Sequence, residues 1–182
     1  MLKVKEITLR SLEFTDLDFL FGLENDRTLW KVSGTTTPFS EKQLANYICH
    51  AKEDIAIAGQ FRFVIDLDTV AIGLIDLYEY NWQKQNAGIG IVILKKYRRK
   101  GFAKQALKAL INHAWKELRL KQLHTGIFSD NKASLALFKA VGFMKVKQNN
   151  YVLNRRERLS FYFSQSFYSP VKEGKLLTIL TT

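Results

Sequence analysis

The chain has 182 residues, of which 47% are hydrophobic, 13% aromatic and 25% charged, with a formal net charge of +11. That size suits one domain burying roughly 70% of its unfolded surface, and the aromatic content with only two prolines excludes a disordered chain. A lone cysteine, Cys49, excludes a disulfide scaffold and points to a reducing, cytoplasmic setting, where it is expected as a small buried filler.

Residues 4–12 alternate and predict a strand. Thr15 then caps a helix to about residue 25, with Asp16 and Asp18 in its first turn and Phe19, Leu20 and Leu23 on one face. Ser40 opens a second helix carrying Leu44, Tyr47 and Ile48. Three strands follow, over 61–67, 70–80 and 87–94, the first two joined by the tight turn Asp68-Thr69. The third has no polar side chain, which predicts cover on both faces. It is also the longest apolar run, too short for the roughly 18–20 residues of a membrane span, and the acid-containing N-terminus does not read as a signal peptide, so a soluble protein is expected.

From Phe102 the period becomes 3.6, with Ala106, Leu107, Leu110, Ile111, Ala114, Trp115 and Leu118 in one stripe. A strand over 123–128 precedes a short helix capped by Asp130 or Asn131 and stopped by Gly142. Strands over 143–152 and 158–167 complete a β-α-α-β-β-β-α-β-α-β-β order. This is an α/β (α+β) pattern, read as one domain over 1–168 with a tail over 169–182 of no assigned role.

Charge is divided unevenly. Residues 1–94 hold 9 Lys and Arg against 13 Asp and Glu, whereas residues 95–182 hold 19 against 4. The basic half attracts a polyanion and the acidic half suits a cation. The run from Ile91 to Leu107 places a buried strand, a basic loop with one glycine and an amphipathic helix in direct succession. A helix start of that kind offers free N–H groups, a positive dipole end and close backbone approach to a pyrophosphate. It is neither a P-loop nor a dinucleotide fingerprint, because the glycines are wrong for both. A solvated basic turn is the alternative.

Arg98-Arg-Lys-Gly101-Phe-Ala103 resembles the Gln/Arg-x-x-Gly-x-Gly/Ala signature of the GNAT superfamily of acetyl-CoA-dependent N-acetyltransferases. Asn131-Lys-Ala-Ser134, with Phe138 and Gly142-Phe143 after it, resembles that family's second motif at the family's separation. The Leu9-Arg10 strand, the Asp16 helix start and Gly73-Leu-Ile are similar to the branch holding ribosomal-protein and spermidine acetyltransferases. The resemblance implies a mixed, mostly antiparallel sheet with helices on both faces, splayed between the fourth and fifth strands. It implies that backbone of Ile91, Val92 and Ile93 pairs with the pantetheine arm of acetyl-CoA. The loop and helix start formed by Arg98, Arg99, Lys100, Gly101, Phe102, Ala103 and Lys104 would hold its pyrophosphate. Asn131 and Ser134 would meet the pantetheine and thiol end.

Two familiar catalytic positions depart from the family pattern. Phe138 stands where many relatives keep a tyrosine acid, and Gly88 follows Ala87 where many carry glutamate. Glu79, with Asp76, is a candidate base and Ser134 a candidate donor to the leaving sulfur. Tyr97 is expected to pack rather than react. His50, His113 and His124 lack metal spacing and read as ordinary surface or half-buried imidazoles.

The leading expectation is acetyl transfer to a primary amine, either a small molecule such as spermidine or a protein N-terminus. The alternatives are a catalytically weak acetyl-CoA-binding protein and an RNA- or ribosome-binding module, which steep salt dependence without protection by CoA would reveal. Nucleic acid and membrane are not expected partners, no metal is implied, and a homo-oligomer is compatible with the sequence.

Overall fold

A computed structural model of the chain describes residues 1–33, 35–146, 151–153 and 156–164. β1 (Leu2–Val4) and β2 (Ile7–Ser11) form an antiparallel hairpin where the pattern predicts one strand. Lys5 sits at φ +51° and reverses the chain, which hydrophobic alternation alone does not reveal. A 3-10 turn, Phe14–Asp16, leads into α1 (Leu17–Glu24), so Asp16 rather than Thr15 precedes the helix. The short α2 (Arg27–Ser33) has no predicted counterpart. Asp26 accepts from the backbone N–H of Thr28 at its start.

Ser40 caps α3 (Glu41–His50) as expected, through a reciprocal pair with Gln43. Leu44 and Ile48 face the core, so Cys49, one residue further round the helix, is exposed and is not the buried filler expected. A single turn, α4 (Ile55–Ala58), ends at Gly59.

β3 (Phe61–Leu67), β4 (Val70–Asn81), β5 (Asn86–Ile93), α5 (Phe102–Lys116), β6 (Gln122–Phe128) and α6 (Lys132–Lys139) follow the predicted order, with Asn131 as the cap of α6. Of the strand expected over 143–152, the described residues hold β7 (Met144–Lys145) and β8 (Tyr151–Leu153), both paired with β9 (Arg156–Ser164); residues 147–150 lie outside the described residues. The end of the last predicted strand and the tail over 169–182 lie outside the described residues.

The nine described strands form one sheet in the order β1-β2-β3-β4-β5-β6-β9-β7, with β8 beside β9. Every pair is antiparallel except β5 and β6. On one face, Ile75, Leu77 and Ile89 pack with Leu107, Leu110 and Trp115 of α5, and Phe138 of α6 joins the same core. On the other, Val64 and Leu74 pack with Leu20 and Leu23 of α1 and Leu44 and Ile48 of α3. Each such side chain contributes about 1.5–3 kcal/mol through burial, so both helical layers are pinned to the sheet.

The parallel pair is short. Its register runs Asn86↔Gln122, Ala87↔Leu123 and Gly88↔His124, and then stops, although both strands continue. This is the expected splay between the fourth and fifth predicted strands. It also goes with β5 not being covered throughout: Gly90, Ile91 and Val92 are half-buried and lie beyond the last rung with β6.

Candidate active site

Ile91, Val92 and Ile93 occupy the arm of β5 beyond its last β6 partner. Their other edge is held by β4, with Ile91 opposite Ile75, Val92 opposite Leu74 and Ile93 opposite Gly73. An edge released in this way presents backbone N–H and C=O groups to any extended chain that enters the fork.

The chain leaves β5 through a 3-10 turn, Lys95–Tyr97, and folds back on the strand end. Arg98 Nε donates to the Ile93 carbonyl at 2.7 Å. The ammonium groups of Lys96 and Lys100 lie 5.0 and 5.8 Å from the centre of the Tyr97 ring, so Tyr97 packs against cations as expected of a structural residue. Arg99 at φ +65° and Gly101 at φ +88° swing the backbone into α5.

Gln105 N–H closes the first helical bond, on the Gly101 carbonyl. The N–H groups of Phe102, Ala103 and Lys104 therefore precede any helical acceptor. Phe102 is buried and anchors the turn, while Arg98, Arg99, Lys100 and Lys104 are exposed. A Cβ built on Gly101 would meet nothing within 4 Å, so the space before the helix start is open. Positive dipole, free donors, cationic rim and open approach together fit a diphosphate.

Asn131 and Ser134 lie at the start of α6. The Asn131 side chain accepts from the Ser134 backbone N–H at 3.1 Å and so serves as the helix cap. The Ser134 hydroxyl is half-buried and takes no hydrogen bond among the described residues. Phe138 is 3% exposed and stands edge-to-face with Phe143, ring centres 5.0 Å apart, as part of the core.

Glu79 lies where the β4–β5 register shifts, between Tyr78 and Asn81, at φ +51°. Such a bulge re-aims a side chain. Here the Glu79 carboxylate accepts from Nε2 of His124 at 3.0 Å. His124 is the residue opposite Gly88 at the last closed rung of the fork, and it also contacts the rings of Tyr78 and Tyr162.

A polar row leads from there to α1. The point a Gly90 Cβ would occupy lies between the Tyr78 ring and Asp76. Asp76 receives two bonds from Arg62, at 2.8 and 3.1 Å, and Arg62 reaches Glu24 at 2.7 Å. The Tyr47 ring lies under the Arg62 guanidinium at 5.2 Å. Burial opposes the Arg62 charge, but the Asp76 carboxylate outweighs it and holds the guanidinium firmly protonated. Burial likewise pushes the Tyr47 phenol upward.

The acetyltransferase (GNAT) domain model matches residues 6–144. The chain belongs to the GNAT acetyltransferase family. It is an enzyme of the N-acetyltransferase class, and acetyl-CoA is the co-substrate of the family's reaction. A spermidine N(1)-acetyltransferase of Vibrio cholerae is 26% identical over 144 residues, covering 77% of this chain and 80% of that protein. An uncharacterised N-acetyltransferase of Bacillus subtilis is 25% identical over 145 residues, 79% of each chain. The crystal structure of the Vibrio cholerae spermidine N-acetyltransferase with CoA and spermine superposes with a TM-score of 0.80, covering 89% of this chain and 97% of that one at 25% identity.

In this acetyltransferase the geometry brings the β5 arm, the Gly101 turn and the helix start into continuity, and it sets Glu79 at the closed end of the same fork. It leaves Asn131 occupied as a cap and Phe138 in the core. The residues that sequence reading missed are His124, Tyr78 and Arg62. Their roles depend on cross-strand register and on a bulge, neither of which has a local signature.

Proposed function

We propose that the enzyme transfers the acetyl group of acetyl-CoA to a primary amine of a polyamine such as spermidine. The observation that carries this reading is the row of carboxylates Glu24, Asp76 and Glu79 across the sheet face that ends at the fork. Arg62 offsets only one of these three charges, so the row still favours a cationic acceptor. The likeness to the Vibrio cholerae spermidine enzyme over nearly its whole length supports the same choice.

In this reading the β5 backbone from Ile91 to Ile93 holds the pantetheine arm, and the Gly101 turn with Arg98, Arg99, Lys100 and Lys104 holds the pyrophosphate. The free Ser134 hydroxyl donates to the departing sulfur, and the Glu79 carboxylate lies on the amine side. A cytoplasmic setting, where acetyl-CoA is made and used, goes with it, as does self-association, since a related spermidine N-acetyltransferase of Vibrio cholerae has a dodecameric structure.

The test is steady-state release of CoA thiol with spermidine, spermine and a peptide bearing a free N-terminus. Spermidine or spermine should exceed the peptide at least tenfold in kcat/KM. The reverse order assigns the enzyme to protein N-termini and overturns the polyamine reading.

A further inference from the structure

We infer that His124, oriented by Glu79, is the catalytic base that takes the proton from the acceptor amine. The inference rests on acetyl transfer to an amine but not on which amine is used. His124 occupies the last closed rung between β5 and β6, so it stands where the fork begins. Its neighbour on that rung is Gly88.

That glycine explains an otherwise forbidden contact. β4 and β6 are separated by β5 and so lie about 9.5 Å apart. Side chains on them meet only if the strand between is bare. A Cβ on Gly88 would overlap the Tyr78 ring, and through that space Tyr78 of β4 reaches His124 of β6, edge-to-face at 6.0 Å. Tyr162 of β9 holds the other side of the imidazole at 6.1 Å.

Glu79 arrives by the same passage. It is a non-glycine residue at φ +51°, a conformation that costs free energy, and its side chain is 73% exposed. An ion pair that exposed adds little to stability. The bulge that sets this angle aims the Glu79 carboxylate at the imidazole rather than along the strand. The bare Gly88 thus opens the path by which a carboxylate on the neighbouring strand reaches the imidazole.

The chemistry follows from the tautomer. With Nε2–H donated to the Glu79 carboxylate, the lone pair of Nδ1 is left to accept a proton. The acceptor ammonium gives one proton to Nδ1, and the freed nitrogen pair forms the C–N bond to the acetyl carbon. The C–S bond breaks with its electrons on sulfur, the Ser134 hydroxyl gives its proton to that sulfur to form CoA–SH, and the second nitrogen proton returns to the Ser134 oxygen. His124 then releases its proton to solvent, one for each acetyl group transferred. The Glu79 carboxylate stabilises the imidazolium while it exists, which makes Glu79 a positioning residue.

The experiment compares His124→Gln, His124→Ala, Glu79→Gln and Gly88→Ala with the parent, using whichever amine of the panel the parent acetylates fastest. His124→Gln should lower kcat by about 10²–10⁴-fold, with acetyl-CoA affinity by calorimetry unchanged within twofold, which also shows the variant to be folded. Added imidazole should restore turnover to His124→Ala. Glu79→Gln should lower kcat about tenfold with little change in KM for acetyl-CoA, and Gly88→Ala, by displacing Tyr78, should do likewise. Nitrogen-15 NMR of labelled histidine should show His124 as the Nε2–H tautomer in the parent and a mixture in Glu79→Gln. Retention of kcat within threefold in His124→Gln, failure of imidazole to rescue His124→Ala, or an Nδ1–H tautomer in the parent overturns the inference. If spermidine is not acetylated but another amine is, the polyamine reading fails while these readouts still decide the role of His124.

Discussion

Arg98 donates from Nε to the carbonyl of Ile93 at 2.7 Å, tying the basic loop to the last residue of β5. One side chain thereby sets the height of the α5 start relative to the strand that borders the fork. Arg98→Leu should lower stability by about 1 kcal/mol, the scale of one hydrogen bond at a solvated site. It should also weaken acetyl-CoA binding several-fold. Thermal denaturation with and without acetyl-CoA separates the two effects, and unchanged affinity would reduce Arg98 to a loop strut.

Gly101 carries φ +88° with open space before it, so its backbone angle and not crowding excludes other residues. Gly101→Ala should cost about 1–2 kcal/mol from that angle alone. Gly101→Asp should in addition abolish stabilisation by acetyl-CoA, which in the parent is about 2.7 kcal/mol at 100 times the dissociation constant. A carboxylate at that point repels the diphosphate that the helix dipole attracts. Equal melting shifts in parent and mutant would mean the loop is only a turn.

His113 lines a cavity of about 260 Å³ with Lys52, Asp54, Phe63 and Leu118, on the α5 side of the sheet. Its Nδ1 is buried and without a partner among the described residues, and burial holds the imidazole below its ordinary pKa of 6.5. The unfolded chain therefore takes up this proton first. The stability contribution is complete above about pH 6.5 and is lost as pH falls from there through the folded-state value. His113→Phe should flatten the melting temperature across that window. An unaltered slope would place the dependence elsewhere.

Arg10 stands between two buried carboxylates, at 2.7 Å from Asp16 and 2.6 Å from Asp66. Burial works against the Asp16 carboxylate, but the Arg10 guanidinium and the Glu13 N–H hold its pKa below 3.8. Arg10→Leu leaves both acids uncompensated and should cost about 3–5 kcal/mol. In the parent the Asp16 contribution is present above pH 3.8 and disappears as pH falls through the lowered value. Acid titration followed by circular dichroism should show the parent losing structure below that point. In Arg10→Leu the loss should begin at higher pH.

Much of the fold follows from local periodicity. The 3.6 stripe from Ala106 to Trp115 and the Asp68-Thr69 turn need only neighbours along the chain, and both stand where the pattern places them. Alternation does not show the turn at Lys5, because a single backbone angle overrides it. One helical step of 100° decides exposure at Cys49, beside the buried Ile48. The candidate co-substrate residues were legible for the same local reason, since strand, loop and helix start are contiguous from Ile91 to Lys104. Glu79 is a candidate base in the sequence too, but its contact with His124 is not legible there, because the two are 45 residues apart in the chain.

The order of strands and helices and the basic glycine turn act through neighbours a few residues away, and the division of charge is composition alone, so all three stand in the chain before it folds. That β5 and β6 part after Gly88, that Arg62 stands between Glu24 and Asp76, and that His124 meets Glu79 across a bare strand appear once the strands are packed. Those outcomes depend on which strands lie side by side and in what register. A shift of one residue would carry His124 to the opposite face of the sheet, away from Glu79.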